Sequence, residues 1–302
     1  MSLTHFIDLP EIRQELEKQF IMPSLKTPNN IQVEPKTKSY GLTGTAFDYL
    51  FRFKLIRLNP SALAKRWVAE TALNSLPQDY DNGELEAESK AKGIPVDALK
   101  EMIGLGIKNH RNSLKERVGK LITEAKQMYD EYIQSGVMND EVIRATVHLA
   151  QIDPIYRANY LDPNLGYVDN LVIQELRELI EIVDDEAFVA RDHCLLNPTF
   201  GDASCEVGGA DADFIIDGCL VDIKTTKAAR FRRAQFNQLI GYYILHDIGG
   251  INGDYDIFIT TLGVYYSRYG ELCTFPVEPL IGRGYSSFVN WFRKKMKEIY
   301  PQ

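Results

Sequence analysis

The chain is poor in the residues that build thiol frameworks. Its 302 residues include only four cysteines, Cys194, Cys205, Cys219 and Cys273, with no CxxC pair among them. So few in so long a chain argue against a disulfide framework, and they read as buried thiols. The five histidines, His5, His110, His148, His193 and His246, never stand three or four residues apart, so a histidine-based zinc site has no local support. Any metal is therefore expected on oxygen ligands. No apolar run approaches the roughly 20 residues of a membrane span. The stretch "MSLTHFIDLPEIRQELEKQF" has neither the basic start nor the apolar core of a signal peptide. A cytoplasmic protein with no membrane partner is the expectation. Net positive charge is missing too: 34 Lys and Arg stand against 42 Asp and Glu, for a formal charge of −8. That balance argues against coating nucleic acid through bulk charge and leaves only local basic patches. The absence of GxxxxGK[ST], GxGxxG and GxSxG patterns weighs against nucleotide-dependent and serine-hydrolase chemistry.

What is present is ordinary globular composition, 45% hydrophobic and 25% charged, on a chain long enough for one large domain or two small ones. Residues 9–19 read as a short helix behind Asp8, and 23–41 as a Pro-rich connector. In "GLTGTAFDYLFRFKLIRLNP" a helix capped by Thr43 or Thr45 carries Phe47, Leu50, Phe51 and Leu55 on one face and stops before Pro60. From Pro60 to about Tyr160 the pattern is helical, with a polar break over 77–93. Its clearest helix opens on a Ser113–Glu116 capping box and ends at Gly136. The character changes near Asp162-Pro163. A helix over about 170–185, a short strand in "HCLLNPTF", a charged hairpin, a helix from about Phe231 to His246, a second hairpin and a last helix over about 286–299 follow. The expected fold class is α/β, a mixed β-sheet flanked by helices, with a large N-terminal helical region. The expected division is 1–165 and 166–302, with 41–57 packing on the second part.

The charged hairpin is "GGADADFIIDGCLVDIKTTK", Gly208 to Lys227. A two-residue type I′ turn at Asp217-Gly218 pairs Ile216 with Cys219, Asp213 with Asp222 and Asp211 with Lys224. Side chains alternate along a strand, so Asp211, Asp213, Asp222 and Lys224 share one face. The other face, Ala212, Phe214, Ile216, Cys219, Val221 and Ile223, is wholly apolar. Directly opposed carboxylates have Cβ atoms roughly 5 Å apart and destabilise a sheet. At an effective dielectric near 20, like charges about 4 Å apart repel by about 4 kcal/mol, which a divalent cation reverses. Two readings fit: a solvated face with a weak Asp211–Lys224 ion pair, or a metal site. All-oxygen ligands suit Mg²⁺ or Mn²⁺ better than zinc.

The order Asp213, eight residues, Asp222-Ile223-Lys224, then a helix bearing Gln238 and Tyr242 as "QLIGY", resembles the PD-(D/E)XK nuclease superfamily, especially its RecB-like branch. "GTAFDYLFRF" is similar to an N-terminal helical element of that branch, while a literal Pro-Asp is missing. The resemblance covers about 165–302, plus 41–57. It implies a restriction-endonuclease-like core and a Mg²⁺- or Mn²⁺-dependent deoxyribonuclease, an exonuclease or an endonuclease. Asp213, Asp222 and the backbone carbonyl of Ile223 would be metal ligands, and Lys224 would contact the attacking water. Gln238 and Tyr242 would lie near the metal and phosphate. Many relatives add a Glu from the preceding helix; Glu175 is either that ligand or a solvated surface acid. Lys227, Arg230, Arg232 and Arg233 form an acid-free strip that is either a DNA-phosphate contact or a solvated face. Arg293, Lys294, Lys295 and Lys297 read as a solvated helix face. With no cysteine before Cys194 and no clustered trio, no iron–sulfur cluster is expected. The alternative function is an inactive nuclease fold that binds nucleic acid or a protein partner.

Overall fold

At the tip of the charged hairpin, Asp217 and Gly218 both hold positive φ, 45° and 78°, as a type I′ turn requires. The computed structural model that shows this describes residues 2–76, 89–91, 93, 95–96 and 114–300. The Asp217 carboxylate also accepts the backbone N–H groups of Arg191, Asp192 and His193 at 2.8, 2.9 and 3.0 Å, which ties the incoming loop to the turn. The register follows: Ile216 pairs with Cys219, Ile215 with Leu220 and Phe214 with Val221.

Along the chain run α1 (Leu3–Asp8), α2 (Pro10–Gln19), α3 (Tyr40–Leu58), β1 (Leu63–Ala64), α4 (Val68–Ser75), α5 (Leu114–Ser135), α6 (Asp140–Ala158) and α7 (Asn170–Glu181). There follow β2 (Cys194–Leu196), α8 (Gly201–Glu206), β3 (Phe214–Ile216), β4 (Cys219–Lys224), α9 (Arg233–Gly249), β5 (Thr261–Tyr266), β6 (Glu271–Pro276) and α10 (Tyr285–Ile299). The chain divides into two compact units, one made of 1–65 with 174–302, the other of 66–173. No helix among the described residues is long and apolar enough to cross a membrane.

The first unit holds a mixed six-stranded sheet in the order β1 to β6, with β1–β2 and β4–β5 parallel and the other pairs antiparallel. One face buries Ile215, Leu220, Leu262, Val264 and Tyr266 under α9, joined by α1, α2 and α10 through Phe6, Leu16, Phe20, Phe288 and Phe292. On the other face α3 lays Phe47 and Phe51 against Tyr265, and Phe51 meets Phe188 and Phe214 edge-on. α9 and α8 approach backbone to backbone: a Cβ at Gly249 would overlap the Phe200 carbonyl. This closeness stacks the Phe200 ring on Tyr242 at 5.5 Å.

The second unit packs α4, α5 and α6 together. α5 buries Val118, Ile122, Ala125 and Tyr132 at helical spacing and ends where Gly136 takes a φ of 74°. Asn139 caps α6 by accepting from the Val142 N–H at 3.0 Å.

Several details depart from the sequence expectations. The first 65 residues belong with the sheet, because α1, α2 and α3 bury their apolar faces on it. β1 lies inside the stretch read as helical, where only two residues pair with β2. α3 begins at Tyr40 rather than behind Thr43 or Thr45. Neither Asp213 with Asp222 nor Asp211 with Lys224 forms a strand pair: the ladder ends at Phe214–Val221, and Asp211 bridges Thr199 instead. Ala212 accordingly packs with Ile215 and Leu220, not with Phe214. Cys205 is exposed, so only part of the thiol reading holds; all four cysteines are free. Ser113 and residues 77–88 of the polar break lie outside the described residues.

Gly249→Ala is expected to destabilise the protein by about 1–3 kcal/mol, since neither backbone can retreat without disturbing α9. Thermal melts read this directly, and an unchanged Tm would mean that the close approach is not needed.

Candidate functional site

Beyond Phe214 the same strand parity carries Asp213 and Asp222 to the α9 face. Each acid stands next to an apolar residue of that face, Asp213 before Ile215 and Asp222 after Leu220, so it sits at the rim of a packed core. Asp222 is 4% exposed, whereas Asp213 keeps a partly open edge. The Asp213 Oδ2 accepts the Ile223 N–H at 2.5 Å, and its backbone carbonyl accepts the Asn197 N–H at 3.0 Å. Lys224 Nζ lies 2.7 Å from Asp222 Oδ2 and donates to Gln238 Oε1 at 3.3 Å. Gln238 Nε2 in turn donates to Tyr242 Oη at 3.0 Å. That second bond fixes the amide so that its oxygen faces the lysine. Asp213, Asp222, Lys224, Gln238 and Tyr242 are thus brought together by one hairpin and one helix.

The electrostatics match the crowding. Burial, then the charges of Asp222 and Asp48, hold the Asp213 carboxyl well above the ordinary carboxylate range, against the opposing Ile223 N–H and Lys224. Burial also raises Asp222, with Lys224 opposing and Asp48 adding. For Lys224, burial works against the ammonium, but the Asp222 and Asp213 carboxylates outweigh it and raise its pKa. Burial and the same two acids hold the Tyr242 phenol well above its usual value. Lys224 is therefore an ammonium at neutral pH, while the two acids resist ionising together.

Asp48 is the acid that sequence reasoning missed. It sits on α3 in "GTAFDYLFRF" and acts on both carboxylates. Its Oδ2 pairs with Arg52 at 2.5 Å, and Arg52 reaches on to the Asn197 side chain. The signal was available in a lone acid within an apolar helix, but the aromatic stripe around it drew the reading toward packing.

Other expected site residues are placed elsewhere. Glu175 is neither a solvated acid nor gathered with the pair: it is 1% exposed, its Oε1 is paired with Arg268, and its Oε2 accepts the Lys36 N–H at 2.8 Å. A fully buried guanidinium demands a counter-charge, and Glu175 supplies it. Among the described residues no group of three or more acid, histidine or cysteine side chains could hold a metal ion. Of the basic strip, Arg233 is structural: it donates to Asn237 Oδ1 and to the carbonyls of Leu16 and Phe20, closing the C-terminal end of α2. Lys227 pairs with Glu34 at 3.0 Å, and Arg230 and Arg232 are exposed. In the second cluster Arg293 and Lys297 face Glu206, and Lys294 and Lys295 face Glu298.

Comparison with protein-family models, curated proteins and solved structures gave no match. The geometry of the site itself carries the functional reading.

In metal-free buffer at neutral pH, Asp213→Asn should raise Tm, by roughly 2–4 °C for each 1 kcal/mol of repulsion relieved. The raised pKa sets the sign. The folded state binds the Asp213 proton more tightly than the unfolded chain, so stability falls as pH rises from the ordinary carboxylate value through the raised one. The advantage of the variant should shrink as pH is lowered through that window. A variant that melts below wild type at neutral pH would show that the opposed carboxylates do not repel.

Proposed function

We propose that this protein is a Mg²⁺- or Mn²⁺-dependent phosphodiesterase that cuts DNA, on a core of the PD-(D/E)XK type. The observation that carries the reading is the pair Asp213 and Asp222, the one just before β3 and bonded to the Ile223 N–H, the other on β4 with the Lys224 ammonium beside it. Two buried acids whose pKa values are raised, beside a buried cation, have no structural purpose that apolar residues would not serve better. A divalent ion suits this donor set: Asp213 has an open edge, Asp222 is buried against the lysine, and the Ile223 carbonyl lies between Asp222 and Lys224 in sequence. Such an ion would polarise a phosphate and lower the pKa of bound water.

The chain's own residues do the rest. Lys224, kept protonated by its two acids, offsets charge that develops on phosphate oxygens. Gln238, oriented by Tyr242, offers its oxygen to the ammonium and limits the directions in which the lysine can swing. Asp48 adds negative charge that favours a cation at the pair. Lys227, Arg230 and Arg232 follow Lys224 closely in sequence and are exposed, which suits contact with neighbouring phosphates.

Two observations favour a second reading. Arg268 diverts Glu175, and Lys224 neutralises Asp222, as in a nuclease fold that binds nucleic acid or a protein without cleaving. Metal affinity separates the two. Asp222→Ala and Lys224→Ala should each lower Mn²⁺-supported cleavage of labelled DNA by at least about a hundredfold while the protein stays folded. Wild-type rates in either variant would defeat the assignment. At about 100 times its Kd, Mn²⁺ should stabilise wild type by about 2.7 kcal/mol. Asp213→Asn should abolish that gain; a wild type whose Tm ignores Mn²⁺ leaves the binding-only reading ahead.

A further inference from the structure

The turn after β5, Ser267–Tyr269, is gripped from two sides. On one side, the Ser267 hydroxyl donates to Thr225 Oγ1 at 2.8 Å, and Thr225 directly follows Lys224. The Tyr269 hydroxyl donates to the Lys227 carbonyl at 2.6 Å and accepts the Ala229 N–H at 3.2 Å. These three bonds hold the chain as it leaves the candidate site and enters the exposed basic strip. On the other side, the Arg268 side chain, 0% exposed, runs inward to Glu175 and donates to the Val33 carbonyl at 3.2 Å. The Arg268 carbonyl accepts the N–H groups of Gln32 and Val33 at 2.9 and 3.1 Å, and Glu175 accepts from Lys36. Three separate stretches, 32–36, α7 and 225–229, therefore meet on one turn.

A buried ion pair stabilises no better than an apolar pair of the same volume, so its contribution lies in geometry. Arg268 can point only where Glu175 and Val33 accept it. Its two chain neighbours, Ser267 and Tyr269, are then aimed at 225–229. We infer that Glu175 and Arg268 form a positioning pair that fixes the exit of β4, and with it Lys224 and the strip 227–232, for contact with a nucleic-acid phosphate. Neither residue touches substrate. The pair sets where Lys224 and the strip stand, and its catalytic consequence rests on the phosphodiesterase reading above.

The test uses the full chain with Glu175→Gln and Arg268→Met together, which remove both charges at similar volume. The fold should survive with Tm close to wild type. Amide exchange over Thr225–Ala229, Ala229 above all, should quicken by about tenfold or more while β5 and β6 stay protected. Mn²⁺-supported DNA cleavage should lose about a hundredfold in kcat with KM little changed. A pair that only holds the fold together would lower Tm and loosen the whole sheet without singling out 225–229, and that result overturns the inference. Unchanged exchange over 225–229 overturns it as well, whether or not wild type cuts DNA. Local loosening in a wild-type background that never cleaves supports the positioning role and refutes the phosphodiesterase reading alone. If the double variant fails to fold, Arg268→Lys keeps the charge beside Glu175 but gives up the bond to the Val33 carbonyl, and unchanged exchange over Thr225–Ala229 in that variant would overturn the inference.

Discussion

Everything at the candidate site depends on one repulsion held in place by one turn. The Asp217-Gly218 turn sets a register that ends at Phe214–Val221, and just past that last pair Asp213 and Asp222 come together. A slip by one residue would turn Asp222 to the opposite face and Val221 toward α9. The apolar rows on both faces forbid that slip, Phe214 and Val221 on one, Ile215 and Leu220 on the other. The hydrophobic core thus keeps two acids together that electrostatics would separate. Repulsion of this kind, balanced by packing elsewhere, sets these two carboxylates apart from ordinary surface acids.

The surroundings of the acid pair are graded. Nearest is Lys224, which neutralises Asp222. Next is the Gln238–Tyr242 pair, whose orientation follows from helix spacing and from the stack of Tyr242 on Phe200. Beyond these lie Asp48 with Arg52 and Asn197, which links α3 to the Asp213 carbonyl. The residues that do the positioning come from α3, α9 and two loops, and each is held by the core of the sheet unit.

The hairpin and the helix after it were legible because both rest on short-range rules. Period-two alternation and an Asp-Gly turn set the strand faces, and a four-residue spacing sets Gln238 over Tyr242. The rest needed long-range information. Arg268 in "YSRYGE" reads as an ordinary exposed loop cation, and nothing near it in sequence shows that Glu175 completes it in the interior. Arg233 looks like one more member of a basic strip, yet the end of α2 consumes its hydrogen bonds. β1 is two residues long and pairs with a strand far along the chain, so no window of sequence carries its signal. Asp211 was misplaced because the ladder ends where Asn197 draws the Asp213 carbonyl toward β2.

The parallel pairing of Leu63 with Leu195 has a consequence for biosynthesis. About 130 residues separate the partners, and at a ribosomal rate of roughly 5–20 residues per second the second emerges on the order of ten seconds after the first. During that interval α1, α2 and α3 have exposed apolar faces and no sheet to cover them, while 66–173 emerges entire and can condense on its own local contacts. During synthesis α1, α2 and α3 are therefore made long before the strands that bury them. Phe47 and Phe51 in particular must wait for Tyr265. A long-lived exposed aromatic stripe of this kind is a natural place for a chaperone to hold on.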